Sequence, residues 1–294
     1  MILVTGASGA LAGLVLDRLR AAEAAGGPEV AAGTRAPAPG SGQRRVDFDD
    51  PASLAESFAG VDVLVFVSAG YAEDDVVMDR HGAVVDAAAA AGVRHVIYTS
   101  LAGSGERITL SVAHRWTEER LAEGPFATTV LRNGLYAEIP AVLALAAAAA
   151  PPADTGVFGA PFGDGRVSVV AREDLADVTA KVALEAHAEP GRHADRTYEL
   201  EGVESLHGDD IAAALTDALG RPVRYEPTPL GPAREVLAAN GQLPYQIGHT
   251  VSIFANHRAG RLTADRSDLP ELLDNPPRPV RPLVVAAVEG AGAR

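Results

Sequence analysis

Ile2-Leu3-Val4-Thr5-Gly6-Ala7-Ser8-Gly9-Ala10-Leu11-Ala12 is the stretch whose reading decides the fold. Its first four residues form a short apolar run, the pattern of a buried strand. The next residues read as the turn into a helix. Gly6 permits a tight turn and Gly9 lets backbone N–H groups come close to a ligand, because neither carries a Cβ. Ala12 takes the third small position, where the helix packs on the strand. A helix N-terminus offers open N–H groups and the positive end of the helix dipole, so this turn suits a pyrophosphate. Such glycine spacing says little alone; between a strand and a helix, at the head of a βαβ series, it points to a dinucleotide. Gly6, Ala7, Ser8, Gly9, Ala10 and Leu11 are the residues expected around the phosphates. The alternative is a structural glycine turn with no ligand.

The series continues from there. A helix over residues 10–22 ends at Gly26-Gly27-Pro28, and a second strand covers 29–33. The stretch 36–42, rich in Pro, Gly and Ser, reads as a loop. A third strand at 45–48 leads through Asp50-Pro51 to a helix at 53–58. Strand 61–67, helix 75–91, strand 94–99, helix 111–123 and strand 127–131 come next, with Gly92 stopping the long helix. Six strands alternating with helices predict an α/β fold, a doubly wound parallel Rossmann sheet, because parallel neighbours need crossover connections. Beyond Arg132 the rhythm breaks. Helical patterns at 174–186 and 208–219 mix with short strands near 166–169 and 197–200, and residues 275–282 are proline-rich. Residues 1–136 are therefore expected to form an NAD(P)-binding core. Residues 137–294 are expected to form a smaller mixed α/β substrate lobe over the carboxyl ends of the sheet, with some segments returning to the core.

The end of the second strand bears on the choice of nucleotide. NAD binders usually place an acid there to accept the ribose 2′-OH, but Gly33-Thr34-Arg35 carries none. Arg35 offers a guanidinium for a 2′-phosphate, so NADP(H) is favoured over NAD(H); a solvated loop arginine is the other reading. Asp47 is a candidate partner for the adenine amino group, with Phe48 beside the ring, although Asp47 could equally face solvent. After the fourth strand, Val67, Ser68 and Ala69 are placed against the far half of the cofactor, with Tyr71 as a candidate substrate wall or a plain loop residue. Tyr98, Thr99 and Ser100 close the fifth strand beside the expected nicotinamide. Thr99 and Ser100 are candidates for the ribose, and Tyr98 for the substrate or simply for the core.

Composition removes several classes of function. Net charge is −14, with 39 acidic against 25 basic residues. That argues against nucleic acid, which requires a basic face. Cysteine is absent, which removes disulfides, thiolate catalysis and cysteine-ligated metals. The eight histidines show no ligand spacing, so no metal is expected. An apolar stretch at 143–150 is too short to span a bilayer, and the strand pattern at the first residues leaves no room for a signal peptide. No membrane association is expected, and a cytoplasmic address is. Alanine-rich helices such as 84–91 suit packing or a homodimer contact. Lys181 is the only lysine in the chain, a bias that suits a high-GC coding sequence and also bears on mechanism.

Val4-Thr5-Gly6-Ala7-Ser8-Gly9-Ala10-Leu11 resembles the atypical short-chain dehydrogenase/reductases. Val96-Ile97-Tyr98-Thr99-Ser100-Leu101, His114-Arg115-Trp116-Thr117-Glu118-Glu119 and Thr129-Val130-Leu131-Arg132-Asn133-Gly134-Leu135-Tyr136 narrow the match. Together they are similar to the NmrA-like family, and especially to its bacterial NADPH:quinone oxidoreductases of type 2. The likeness is close over 1–136, extends to Gly163-Asp164-Gly165-Arg166, and thins beyond Gly220. It implies that Asn133, Gly134 and Tyr136 border nicotinamide and substrate. Phe162, Tyr245 and Phe254 are further candidate aromatic walls, with core packing the better reading for at least two of them. Ordinary members of the superfamily use a Tyr-x-x-x-Lys pair. The matching positions here carry His114 and Glu118, and the single lysine lies well past that helix.

The expected function is that of an oxidoreductase acting on a quinone or quinone-like aromatic by direct hydride transfer from NAD(P)H, without flavin or metal. A quinone accepts hydride readily and its reduced oxygens are acidic, so a protein proton donor is less necessary. His114 remains a candidate donor, since an unperturbed imidazole titrates near ~6.5; a histidine on an exposed helix face is the competing reading. Two other functions stay open. One is a tailoring oxidoreductase or oxygenase of an aromatic polyketide pathway. The other is a non-catalytic NAD(P)-binding redox sensor of the NmrA type.

Overall fold

The computed structural model describes residues 1–68 and 72–292. Its first half alternates strand and helix. β1 (Ile2–Val4), α1 (Ala10–Ala24), β2 (Val30–Thr34), β3 (Arg44–Arg45) and α2 (Pro51–Ser57) come first. β4 (Val63–Val67), α3 (Asp74–Ala90), β5 (His95–Leu101), α4 (Ser111–Ala122) and β6 (Ala127–Asn133) come after them. These strands pair parallel throughout, in the order β6-β5-β4-β1-β2-β3. β1 is wholly buried, because it lies mid-sheet with helices on both faces. Leu11, Val15 and Leu19 of α1, four residues apart, fall on one face and bury against the sheet. Asp50 caps α2, its carboxylate accepting from the Ala52 N–H, with Pro51 at the first helical position. Val84, Val85, Ala87 and Ala88 of α3 are buried in the core on the opposite face of the sheet.

The second half contributes β7 (Leu135–Tyr136), α5 (Ile139–Ala146), α6 (Pro152–Thr155), β8 (Val157–Ala160), β9 (Val167–Val170) and α7 (Arg172–Ala188). It continues with β10 (Arg196–Leu200), β11 (Glu204–Leu206), α8 (Gly208–Leu219), β12 (Arg224–Pro227), α9 (Leu230–Ala239), α10 (Pro244–Arg258), α11 (Leu269–Leu272) and α12 (Arg281–Gly292). Two small sheets, β11-β9-β7 and β12-β8, form here over a separate apolar core.

Two differences from the sequence reading have plain causes. The parallel sheet has seven strands rather than six, because β10 pairs parallel with β6, Arg196 beside Thr129 through Leu200 beside Asn133. α7 lies against α1 and closes the same face. The third strand is Arg44–Arg45 and not 45–48: Val46 still donates to the Thr34 carbonyl, but the chain then turns away through an Asp47–Asp50 turn. The chain order reverses between β1 and β4, so the crevice of the sheet opens where Gly6 and Ser68 leave it.

Candidate functional site

Gly6 stands at φ +66°, a conformation that an L side chain rarely adopts, and opens the turn after β1. The Ala7 N–H donates to the Gly33 carbonyl and the Gly9 N–H to the Gly6 carbonyl, which fixes the loop against β2. A Cβ on Gly9 would lie 3.2 Å from that Gly6 oxygen. No side chain caps α1, so the N–H groups of its first turn stay open. Ser8, Gly9 and Ala10 are exposed, whereas Leu11 is buried and offers only its amide.

A cavity of about 540 Å³ opens from this turn, within the roughly 300–1,000 Å³ of small-molecule sites. Gly6, Ser8 and Gly9 line one end, Thr34 and Arg35 the tip of β2, Val46 and Phe48 the loop after β3, and Val67 and Ser68 the end of β4. Asp49 and Arg80 complete it. The sequence reading missed both; Asp49 and Arg80 lie 31 residues apart and no local pattern joins them. Asp47 is not part of the lining. Its carboxylate accepts from the Asp49 N–H and lies 3.5 Å from Arg45. Ala69 and Tyr71 lie outside the described residues.

Behind the expected nicotinamide position the side chains are committed to one another. The Thr99 hydroxyl accepts from the Ser68 N–H at 3.0 Å and holds the end of β4 against β5. Ser100 donates to Glu118, a correction to its expected place on the ribose. Glu118 also receives Arg115 at 2.7 Å and Arg132 at 2.6 Å, and Arg132 reaches Glu199 at 2.9 Å. Burial raises the Glu118 pKa, but the hydrogen bonds from Arg132 and Ser100 outweigh it, and the carboxyl is held below the usual range. Glu118 is thus a carboxylate locked in an ionic cluster.

Tyr98 has no exposed surface, because it packs between Phe66 and His81, so it cannot wall a substrate. Its hydroxyl instead lies 2.8 Å from Nδ1 of His114. Burial pulls His114 down to about 4, so the ordinary imidazole assumed from the sequence is corrected to one that is neutral near pH 7. With Nδ1 engaged, Nε2 is the atom left to meet a ligand. Asn133 is buried at the end of β6, and its Oδ1 has no hydrogen-bond partner among the described residues. Gly134 beside it is buried too, and a Cβ there would lie 3.1 Å from Oε2 of Glu201. That oxygen is also unpartnered among the described residues, while Oε1 accepts from the Ser104 N–H, and burial raises the carboxyl's pKa. Glu199-Leu200-Glu201 alternates like any half-buried strand, which hides both acids from a sequence reading.

One expected substrate residue lies elsewhere. Phe162 is wholly buried, stacked 4.1 Å from His257 and edge-on to Phe254 in the second apolar core. This corrects its place among the substrate residues, while Phe254, also wholly buried, makes the second of the three to lie in the core as core packing expects. Tyr136 lies under Arg172, whose guanidinium carbon is 4.4 Å from the ring centre. Tyr245 is half-buried at the start of α10. Among the described residues no cluster of His, Cys, Asp and Glu could hold a metal ion, and no helix is long and apolar enough to cross a membrane.

The NmrA-like family model matches residues 1–274. Quinone oxidoreductase 2 of Escherichia coli (strain K12) is 34% identical over 234 residues, 77% of this chain and 77% of that protein. Among solved structures, the Citrobacter sp. triphenylmethane reductase complexed with NADP(H) superposes with a TM-score of 0.84 at 30% identity. That match covers 97% of this chain and 99% of the other. The NADPH-dependent quinone oxidoreductase from Escherichia coli complexed with NADPH gives 0.83 at 29% identity, over 97% and 99%.

Proposed function

The chain belongs to the NmrA-like family, and from that premise we propose that it is an NADP(H)-dependent oxidoreductase that reduces a quinone or quinone-like aromatic. The observation that carries the reading is the cavity at the crevice of the sheet, where the open helix N-terminus, Arg35 and Phe48 converge. These residues fit a dinucleotide phosphate. The first-turn amides of α1 would receive the pyrophosphate, Phe48 would flank the adenine, and Arg35, with no ion-pair partner among the described residues, would receive the 2′-phosphate. A bound NADPH supplies hydride. The reductase relatives that bind NADP(H) and act on quinones or triphenylmethane dyes support the substrate class.

The residues at the reacting end position and do not ionise. Asn133 holds a buried carbonyl oxygen at the end of β6 that has no hydrogen-bond partner among the described residues. His114, kept neutral by burial and held at Nδ1 by Tyr98, offers Nε2 as a hydrogen-bonding group and not as a cationic acid. A quinone suits such a site, because its reduced oxygens need no strong acid from the protein. The experiment is NADPH consumption with a panel of quinones, set beside NADH, in the protein and in Arg35→Ala. Turnover with NADPH is expected. The substitution should weaken NADPH by about ten- to a hundredfold, the equivalent of losing one charge-assisted contact of roughly 1.5–3 kcal/mol, with NADH little changed. Tight nucleotide binding with no turnover on any quinone would replace the reductase with a nucleotide-binding sensor, and equal losses for both nucleotides would remove the NADP(H) preference.

A further inference from the structure

The adenosine end of the cavity holds an acid that the sequence reading did not expect there. Asp49 lines the pocket together with Arg35 and Arg80. Its two carboxylate oxygens are taken by one guanidinium: Arg80 Nε donates to Oδ1 at 2.7 Å and Nη2 to Oδ2 at 2.9 Å. Arg80 comes from α3 and Asp49 from the loop before α2, so the pair closes across the pocket. Arg35 lies within electrostatic reach of the same carboxylate, whose pKa it helps to lower after the larger effect of Arg80. A carboxylate in such a place is the device by which NAD-specific Rossmann proteins accept the ribose 2′-OH and repel a 2′-phosphate. Here it enters from the third strand's loop and not from the tip of the second.

We propose that Arg80 is a specificity-determining residue that acts through Asp49, masking an acid that would otherwise turn the pocket toward NAD(H). The bidentate pair engages both oxygens that would accept from a ribose hydroxyl, holds the carboxylate in place and offsets its charge. Arg35 is then the uncompensated cation of the pocket, free for a dianionic phosphate. Without Arg80, Arg35 and Asp49 would neutralise each other, and the attraction for the phosphate would go. The inference rests on the reading of this cavity as the nucleotide site and assigns the source of its preference.

The test is calorimetric binding of 2′,5′-ADP and 5′-AMP to the intact chain and to Arg80→Met, Asp49→Asn and the double variant. Arg80→Met should weaken 2′,5′-ADP by about tenfold or more, the scale of one lost ionic contact, and leave 5′-AMP unchanged or tighter. Asp49→Asn alone should bind 2′,5′-ADP as well as the parent or better. The double variant should return to within about threefold of the parent, because the acid that Arg80 restrains has gone. An Arg80→Met variant that keeps full 2′,5′-ADP affinity overturns the proposal. So does a double variant as weak as Arg80→Met, since Arg80 would then touch the nucleotide itself, and so does weakened binding in Asp49→Asn. A parent protein that binds neither probe removes the cavity reading and this proposal together. A parent that prefers 2′,5′-ADP while the double variant fails to recover overturns this proposal alone.

Discussion

His114 shows how a residue's setting decides its chemistry. On a sequence it is an imidazole titrating near neutrality; in the fold, burial and the nearby Arg115 charge lower its pKa to about 4, and the Tyr98 hydroxyl lies against Nδ1. The expected pH profile of quinone reduction therefore shows no inflection between pH 5.5 and 7.5 that belongs to this residue. Rates measured across that range in the protein and in His114→Phe test it, and an inflection near pH 6.5 that vanishes in the variant would restore the cationic acid. The glycine turn and Arg35 were legible because their chemistry is local: a tight turn and a strand tip each occupy a few consecutive residues. Asp49 with Arg80, and Arg132 with Glu199, were not. Each pair meets only after strands and helices have closed, and in sequence each member is an ordinary polar residue.

At the scale of elements, an ionic cluster ties the end of the sheet to the helix beside it. Arg132 on β6 binds Glu118 of α4 on one side and Glu199 of β10 on the other, so one side chain joins three elements. Glu118 and Glu199 are only 11% and 8% exposed at their side chains. Arg132→Leu leaves Glu199 without its cation and Glu118 with Arg115 alone, and is expected to destabilise the protein by about 3 kcal/mol, the lower end for a broken buried pair. Urea unfolding of the variant measures this, and a loss under about 1 kcal/mol, as for an exposed pair, would contradict it. Periodicity supplied the first six strands and the long helices, since amphipathic helices and buried runs each leave a pattern. It also marked a strand near 197–200. Alternation carries no information about a strand's neighbour, so the place of β10 beside β6 appeared only in the structure. The third strand came out short because Asp47 turns the chain, a side-chain effect that an apolar run does not reveal.

Across the molecule as a whole, among the described residues, His81, His95 and His257 are buried and His114 half-buried, and desolvation lowers their pKa values, His81 to about 3 and the other three to about 4. In the unfolded chain each would titrate near ~6.5. As pH falls below that value the unfolded state takes up protons first, so the stabilising effect of neutral burial is complete above pH 6.5 and is lost toward pH 4. With four such groups the slope approaches about 5 kcal/mol per pH unit at its steepest. Urea midpoints measured from pH 7.5 down to 4.5 should fall accordingly; a midpoint that stays level from pH 6.5 to 5 would show that the histidines become charged in the folded state.

The position of β10 also sets when the molecule can finish folding. As the chain is synthesised, the glycine turn, Arg35, Asp49 and Arg80 have all emerged by residue 80, long before the sheet that supports them is complete. β6 is made by residue 133, yet its outer edge stays bare until Leu200, and α1 waits for α7 to cover it. At about 5–20 residues per second that interval lasts roughly 3–13 s. During it the nascent chain holds an open strand edge and an uncovered apolar helix face, the features that invite a neighbouring chain or a chaperone.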